Sequence, residues 1–273
     1  MPYADWSYNA RNPLQRYSHR RRFEKSCQLV ERHLPPGGSL LDYGCADGYL
    51  LWKLTSRKHQ TDTLHGYEPF PDSKVDEQLT IFNSEEEMGE RRYDVVSCFE
   101  VLEHFSESGR RKILDKIKGL LNKEGVLVIS VPVESGPVGM FKGLLRKATD
   151  PRLRHQYTWR NIWRTLWGLP LEEWRNGDGY LDHIGFYFRD LRRQLEEDFE
   201  IEHTEYSPMP LRGTTFNSQI YVICRRKGGM EKKSDGKNGN WKILSKFAPK
   251  KKRLSQGKIR LSHNKDQRLC YFQ

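Results

Sequence analysis

No stretch of this chain stays apolar for long. The longest apolar run, near Val126 to Val133, falls far short of the ~20 residues that cross a bilayer, and the chain opens without the apolar core of a secretory leader. A protein that does not span a membrane, and at most binds one peripherally, is expected. Cysteine is also scarce. The five (Cys27, Cys45, Cys98, Cys224 and Cys270) are scattered, odd in number and form no C-x-x-C pair. That argues against a disulfide framework and a zinc site and suits a reducing cytoplasm. Basic excess is missing from most of the chain. Of a net charge of +11, residues 225 to 273 hold +13, with 16 Lys and Arg against Glu231, Asp235 and Asp266, so residues 1–224 sum to −2. A dedicated nucleic-acid protein usually carries a basic face on its folded part. The folded part should therefore end near Lys227, with 228–273 a basic tail too poor in apolar residues to order itself. Such a tail suits contact with acidic membrane surfaces or nucleic acid, or only solubility.

What is present is organised around Ser39 to Leu51, SLLDYGCADGYLL. A short apolar run ends in Asp42, a turn carries Gly44 and Gly48, and a second apolar run follows: strand, tight turn, helix. Glycine lets main chain approach a ligand closely, and the helix directs N–H groups into the same crevice. A dinucleotide fingerprint would need glycine where Ala46 and Tyr49 stand, so that reading fails.

Downstream, the pattern repeats. Thr63–Tyr67 ends in Glu68, an acid placed to accept hydrogen bonds from both hydroxyls of a ribose. Leu79–Phe82 is a short third strand, Tyr93–Phe99 a buried fourth and Gly125–Pro132 a fifth, with an amphipathic helix over Ser106–Leu121 between the last two. A helix over Tyr17–Leu34, stopped by Pro35-Pro36-Gly37-Gly38, precedes the first strand, and Arg20-Arg21-Arg22 reads as its solvated basic face. After a helix over Phe188–Glu197, Phe199–His203 and Phe216–Cys224 read as a final antiparallel pair. The sum is an α/β, Rossmann-like, doubly wound and mostly parallel seven-stranded sheet with its ligand at the carboxyl edge. Residues 1–227 form its domain. Between about 134 and 180 the alternation lapses into a segment bearing Trp159, Trp163, Trp167 and Trp174 with His155 and Tyr157. This is either an acceptor lid offering flat apolar surface or a helical hairpin that packs its tryptophans into its own core.

The order Asp42-x-Gly44-x-Ala46-x-Gly48 resembles the first motif of class I S-adenosylmethionine-dependent methyltransferases, with alanine where a third glycine is usual. The resemblance implies S-adenosyl-L-methionine as cofactor, held by Asp42, Gly44, Cys45, Ala46, Asp47, Gly48 and Glu68, with Ser84 and Phe99 as further contacts. It also implies that Tyr17 or Arg21 closes over the methionine end. Glu100-x-x-Glu103-His104 is similar to a motif of ubiquinone-biosynthesis O-methyltransferases and small-RNA 2′-O-methyltransferases. Glu100, Glu103, His104 and His183 would suit Mg²⁺ or Mn²⁺ as ligands. In a metal-free site, His183 or His104 would be the base that takes the proton of an attacking hydroxyl. The expected function is O-methylation of a small or carrier-linked acceptor, a sugar or a phenol, in the cytoplasm. RNA 2′-O-methylation and an inert cofactor-binding module are the alternatives.

Overall fold

The computed structural model describes residues 13–57, 63–70, 78–149, 151, 154–169, 171, 185–209, 213 and 217–227. All lie in the first of two units into which the chain divides, residues 1–231. Helix α1 (Pro13–His33) starts earlier than its apolar spacing predicts and ends just before Pro35-Pro36. Strand β1 (Ser39–Tyr43) leads through the glycine turn into α2 (Tyr49–Thr55). Strands β2 (Thr63–Tyr67), β3 (Thr80–Phe82) and β4 (Tyr93–Phe99) follow, with the one-turn α3 (Glu85–Met88) between the last two. After a 3₁₀ turn over Leu102–His104 come α4 (Glu107–Leu120) and β5 (Leu121–Pro132). Then α5 (Gly136–Thr149), α6 (Trp159–Leu166), α7 (Phe188–Asp198), β6 (Phe199–Ser207) and β7 (Gln219–Arg226) complete the described chain.

The seven strands form one sheet in the order β3-β2-β1-β4-β5-β7-β6. The first five pair in parallel and β7 joins antiparallel to both β5 and β6. Side-chain alternation sorts the core into two layers. Leu41, Val96, Leu127 and Ile129 pack with Leu114 and Ile117 of α4 and Leu191 and Leu195 of α7. Their neighbours Leu40, Val95, Val126 and Val128 pack with Phe23, Cys27 and Val30 of α1 and Leu51 and Leu54 of α2. Each fully buried aliphatic side chain contributes about 1.5–3 kcal/mol. Helices must cover both faces for the strands to read as unbroken apolar runs, and they do.

Among the strands, two boundaries differ most from expectation. β5 begins at Leu121 rather than Gly125, because Leu121 is buried opposite Tyr93 and Asn122 Nδ2 donates to Asp94 Oδ1 at 2.6 Å. β6 runs to Ser207, held along its length by β7. In the segment after β5, the hairpin core consists of Tyr157, Ile162 and Leu171 with Met140 and Leu144 against it. The tryptophans are not in it: Trp159, Trp163 and Trp167 are exposed, because Asn161 and Ile162 take the inward face of α6. Trp174 lies outside the described residues, as do Asp182 and His183.

Candidate functional site

The turn after β1 passes through Gly44, Ala46 and Gly48 with φ of 81°, 49° and 73°. Left-handed backbone at residue 46 is the physical reason a glycine is natural there, and alanine carries a modest strain. A Cβ on Gly44 would lie 2.4 Å from Val101 Cγ2, so the loop after β4 presses directly on this turn.

The turn is also tied to the end of β2. Gly44 N and Cys45 N donate to the Tyr67 carbonyl at 2.8 and 3.2 Å, and Ala46 N donates to Glu68 Oε2 at 3.1 Å. Within the turn, Gly48 N donates to the Cys45 carbonyl and Tyr49 N to Asp47 Oδ1. Much of the hydrogen-bonding capacity expected to face a ligand is thus satisfied internally. What the turn presents is fixed main chain and three buried carboxylates: Asp42, Asp47 and Glu68.

Their electrostatics are those of a site prepared for a partner. Burial pushes the Asp42 carboxyl up to about 7, opposed by the hydrogen bond from Ser97 Oγ (2.7 Å) and reinforced by the Glu68 charge. Burial raises Glu68 as well, against the bonds it accepts from Phe70 N and Ala46 N. A carboxylate has about four acceptor sites. Glu68 uses two in these bonds, leaving capacity for hydroxyl donors. A ligand bringing hydroxyls and positive charge would relieve the cost of burying these groups; S-adenosylmethionine is such a ligand, and the residues fit it.

The other sequence candidates distribute unevenly. Cys45 is buried, its thiol packed where a Cβ on Gly66 would come within 2.5 Å of it, so it offers the turn main chain and not sulfur. Ser84 caps α3, its hydroxyl accepting from Glu87 N. The neighbouring Asn83, in the same stretch expected beside the adenine, donates from Nδ2 to the Glu68 carbonyl at 3.1 Å and so braces that acid. Phe99 ends β4, its ring edge-on to Tyr221. Tyr17 and Arg21 are exposed on α1.

The residue of α1 that turns inward is Arg22, which corrects the reading of Arg20 to Arg22 as one solvated face. Arg22 Nη1 reaches both Glu100 carboxylate oxygens and Gln219 Oε1, each at 3.2 Å. Its Nη2 donates to His19 Nδ1 at 2.8 Å, and burial with the Arg22 charge pulls His19 down to about 4, so the ring is a neutral acceptor. One position of helical phase separates Arg21 from Arg22, and only packing against β4 and β7 selects between them.

Glu100 has φ 56° and donates its N–H to the Ser130 carbonyl, with its side chain held by Arg22. Glu103 has no exposed surface, and His104 is buried with Nε2 4.0 Å from Glu103 Oε1. Among the described residues, no three His, Cys, Asp or Glu side chains gather as metal ligands. The expectation that Glu100, Glu103 and His104 form a cation site with His183 therefore meets a different arrangement: an ion pair to α1 and an interior acid, with His183 outside the described residues.

A cavity of ≈ 300 Å³ opens where β5 ends, lined by Val133, Glu134, Trp167, Tyr187, Phe188 and Arg189 among others. It does not include the glycine turn. β5 lies two strands from β1, about 10 Å at ~4.8 Å per strand, so the cavity stands beside the turn along the same edge. Glu134 is locked there by Lys142 Nζ (3.1 Å) and Arg146 Nη1 (3.0 Å), and Arg146 also donates to Tyr157 Oη at 2.9 Å. Tyr187 Oη donates to the Leu169 carbonyl, which ties α7 to the segment after α6.

The profile of the methyltransferase-domain family matches residues 17–203. Among solved structures, a protein of Pyrococcus horikoshii OT3 aligns with a TM-score of 0.56 at 12% identity, over 83% of this chain and 99% of that one. An S-adenosylmethionine-dependent methyltransferase from Clostridium acetobutylicum ATCC 824 aligns with a TM-score of 0.51 at 12% identity, over 82% and 96%. Magnesium protoporphyrin IX methyltransferase from Synechocystis PCC 6803, with bound SAH, gives 0.49 at 16% identity, over 79% and 88%. At such identities the first two likenesses speak for the fold alone. A search of curated proteins gives no match.

Proposed function

The chain belongs to the methyltransferase-domain family and is an S-adenosylmethionine-dependent methyltransferase, and from that premise we propose that it methylates a hydroxyl of a small or carrier-linked ring, a sugar or a phenol. The observation that carries the cofactor assignment is the junction of Glu68 with the glycine turn, Oε2 to Ala46 N at 3.1 Å. It joins the acid of β2 to the main chain of β1 as a ribose-and-sulfonium site requires.

When bound, S-adenosylmethionine supplies an activated methyl whose leaving thioether is neutral. The protein's task is placement, which is where most of the rate arises. Gly44, Ala46 and Gly48 give the main chain its close approach, Asp42 and Asp47 offset the ligand's positive charge, and Glu68 takes the ribose hydroxyls. The cavity at the end of β5 supports a one-ring acceptor, with Trp167, Tyr187 and Phe188 as flat walls and Arg189 as its basic group. The attacking hydroxyl must lose a proton. We assign that proton to His183 or His104, because a role for Mg²⁺ or Mn²⁺ would require Glu100 to leave Arg22 and Glu103 to leave the interior. No helix among the described residues is long and apolar enough to cross a membrane. Cys27, Cys45, Cys98 and Cys224 are buried free thiols, which suits a cytoplasmic enzyme.

Glu68→Ala is expected to weaken S-adenosylmethionine by ~1–3 kcal/mol through loss of charge-assisted hydrogen bonds. Calorimetric titration reads this directly, and an unchanged dissociation constant removes the ribose assignment. Turnover on a panel of monosaccharides and phenols should survive a strong chelator. Activity lost on chelation and restored only by Mg²⁺ or Mn²⁺ would return the proton to a metal site. Cofactor binding without methyl transfer to any hydroxyl acceptor would overturn the O-methylation reading.

A further inference from the structure

Helix α6 and the residue that caps its C-terminus present Trp159, Trp163 and Trp167 at i, i+4 and i+8, and the three are 63%, 57% and 71% exposed. Three indoles on one stripe, each more than half in water, make an apolar patch of the kind soluble surfaces avoid unless something covers it. Beyond the helix, Leu169 is also 46% exposed. On α5, Phe141 and Leu145, one turn apart, are 66% and 53% exposed. Basic groups flank it. Arg160 and Arg164 follow the tryptophans by one residue, and the Lys147 ammonium stands 5.7 Å from the centre of the Trp159 ring. From residue 134 to 169 the sequence has seven Lys and Arg against Glu134 and Asp150, with Glu134 held by Lys142 and Arg146, in a chain whose first 224 residues sum to −2.

We propose that the α5–α6 hairpin docks on an acidic lipid bilayer surface, with the tryptophan stripe at the headgroup layer and the arginines on anionic lipid phosphates. Tryptophan beside arginine on a short amphipathic helix is the chemistry of the membrane interface, where an amphipathic ring and a cation both find partners. The local positive charge complements an anionic leaflet. The helix is far too short to cross, so it lies on the surface. A nucleic acid strand would also use exposed aromatic rings and arginines, by stacking and phosphate contact, but it has no use for the exposed aliphatic Leu145 and Leu169. Trp167 both ends the stripe and lines the ≈ 300 Å³ cavity, so docking holds the cavity at the bilayer surface. The carrier of a carrier-linked acceptor is then a lipid. That last step rests on the methyl-transfer reading, whereas the docking does not.

The test is flotation of the full-length protein with vesicles of phosphatidylcholine, with and without phosphatidylglycerol, together with quenching of tryptophan fluorescence by brominated lipid chains. Wild type should float with phosphatidylglycerol vesicles and be quenched. Combined Trp159→Ser, Trp163→Ser and Trp167→Ser should reduce the bound fraction ~10-fold or more and remove most of the quenching, with an unchanged melting temperature because all three side chains are exposed. Arg160→Glu with Arg164→Glu is the second variant and should lose the preference for phosphatidylglycerol. Equal flotation of wild type and the tryptophan variant, as binding through the basic tail alone would give, overturns the proposal. So does a wild type that leaves vesicles unbound while the tryptophans support a concentration-dependent dimer or salt-labile retention of an oligoribonucleotide. Because every readout is binding to lipid, failure here is separate from failure of methyl transfer.

Discussion

Gly44→Ala is expected to reduce S-adenosylmethionine affinity by ~100-fold or more and to destabilise the fold by about 2–4 kcal/mol, from a left-handed alanine together with overpacking. The two contributions are separable. Residue 44 sits at φ 81°, and a Cβ there meets Val101 Cγ2 at 2.4 Å. Trimming Val101 to alanine in the Gly44→Ala background removes the collision and leaves the backbone strain. Part of the stability should return while cofactor affinity stays low, because a bent turn no longer offers the same main-chain surface. Thermal melts and cofactor titration on the single and double variants give both numbers. A Gly44→Ala protein that binds cofactor like wild type would mean that the turn is not where the ligand lies.

Asp42→Asn should stabilise the protein without ligand at alkaline pH while weakening the cofactor. Burial holds the Asp42 carboxyl at about 7 in the folded protein, above its ordinary value of 3.8. Between those two pH values the unfolded chain has released this proton and the folded chain keeps it. The contribution of Asp42 therefore lowers stability as pH rises from about 4 to about 7, by up to ~4 kcal/mol at 1.36 kcal/mol per pH unit. Above that window the full cost of the buried anion remains. Asparagine abolishes the slope, though its own buried amide needs a new partner, so a net gain of ~1–3 kcal/mol at pH 8 is expected. Ser97 Oγ, 2.7 Å from Asp42 Oδ1, can still donate to the amide oxygen. Unfolding curves for the two proteins from pH 4 to 8 decide the matter: parallel profiles would show that Asp42 ionises freely in the fold. The enzyme would thus carry a destabilising acid at the turn, tolerated for the charge it offers a cationic ligand.

Local pattern determined much of this protein. The β1 to β5 alternation, the glycine turn between Asp42 and Tyr49 and the inward apolar face of the helix before β5 are legible because strand and helix periodicities are properties of short segments. The positive backbone angle at Ala46 could be anticipated from the glycine spacing on either side. Tertiary structure decided the rest, for a reason common to each case: the deciding partner is distant in sequence. Arg22 rather than Arg21 turns inward because Glu100 and Gln219 wait there, 78 and 197 residues away. Glu100 is committed to that ion pair, which no reading of Glu-x-x-Glu-His could reveal. Asn83 acts through the carbonyl of Glu68, and the tryptophans of α6 face water because Ile162 and Asn161 fill the small space behind them. Sequence spacing fixes which residues share a face; which face is covered depends on the three-dimensional neighbours that compete for it.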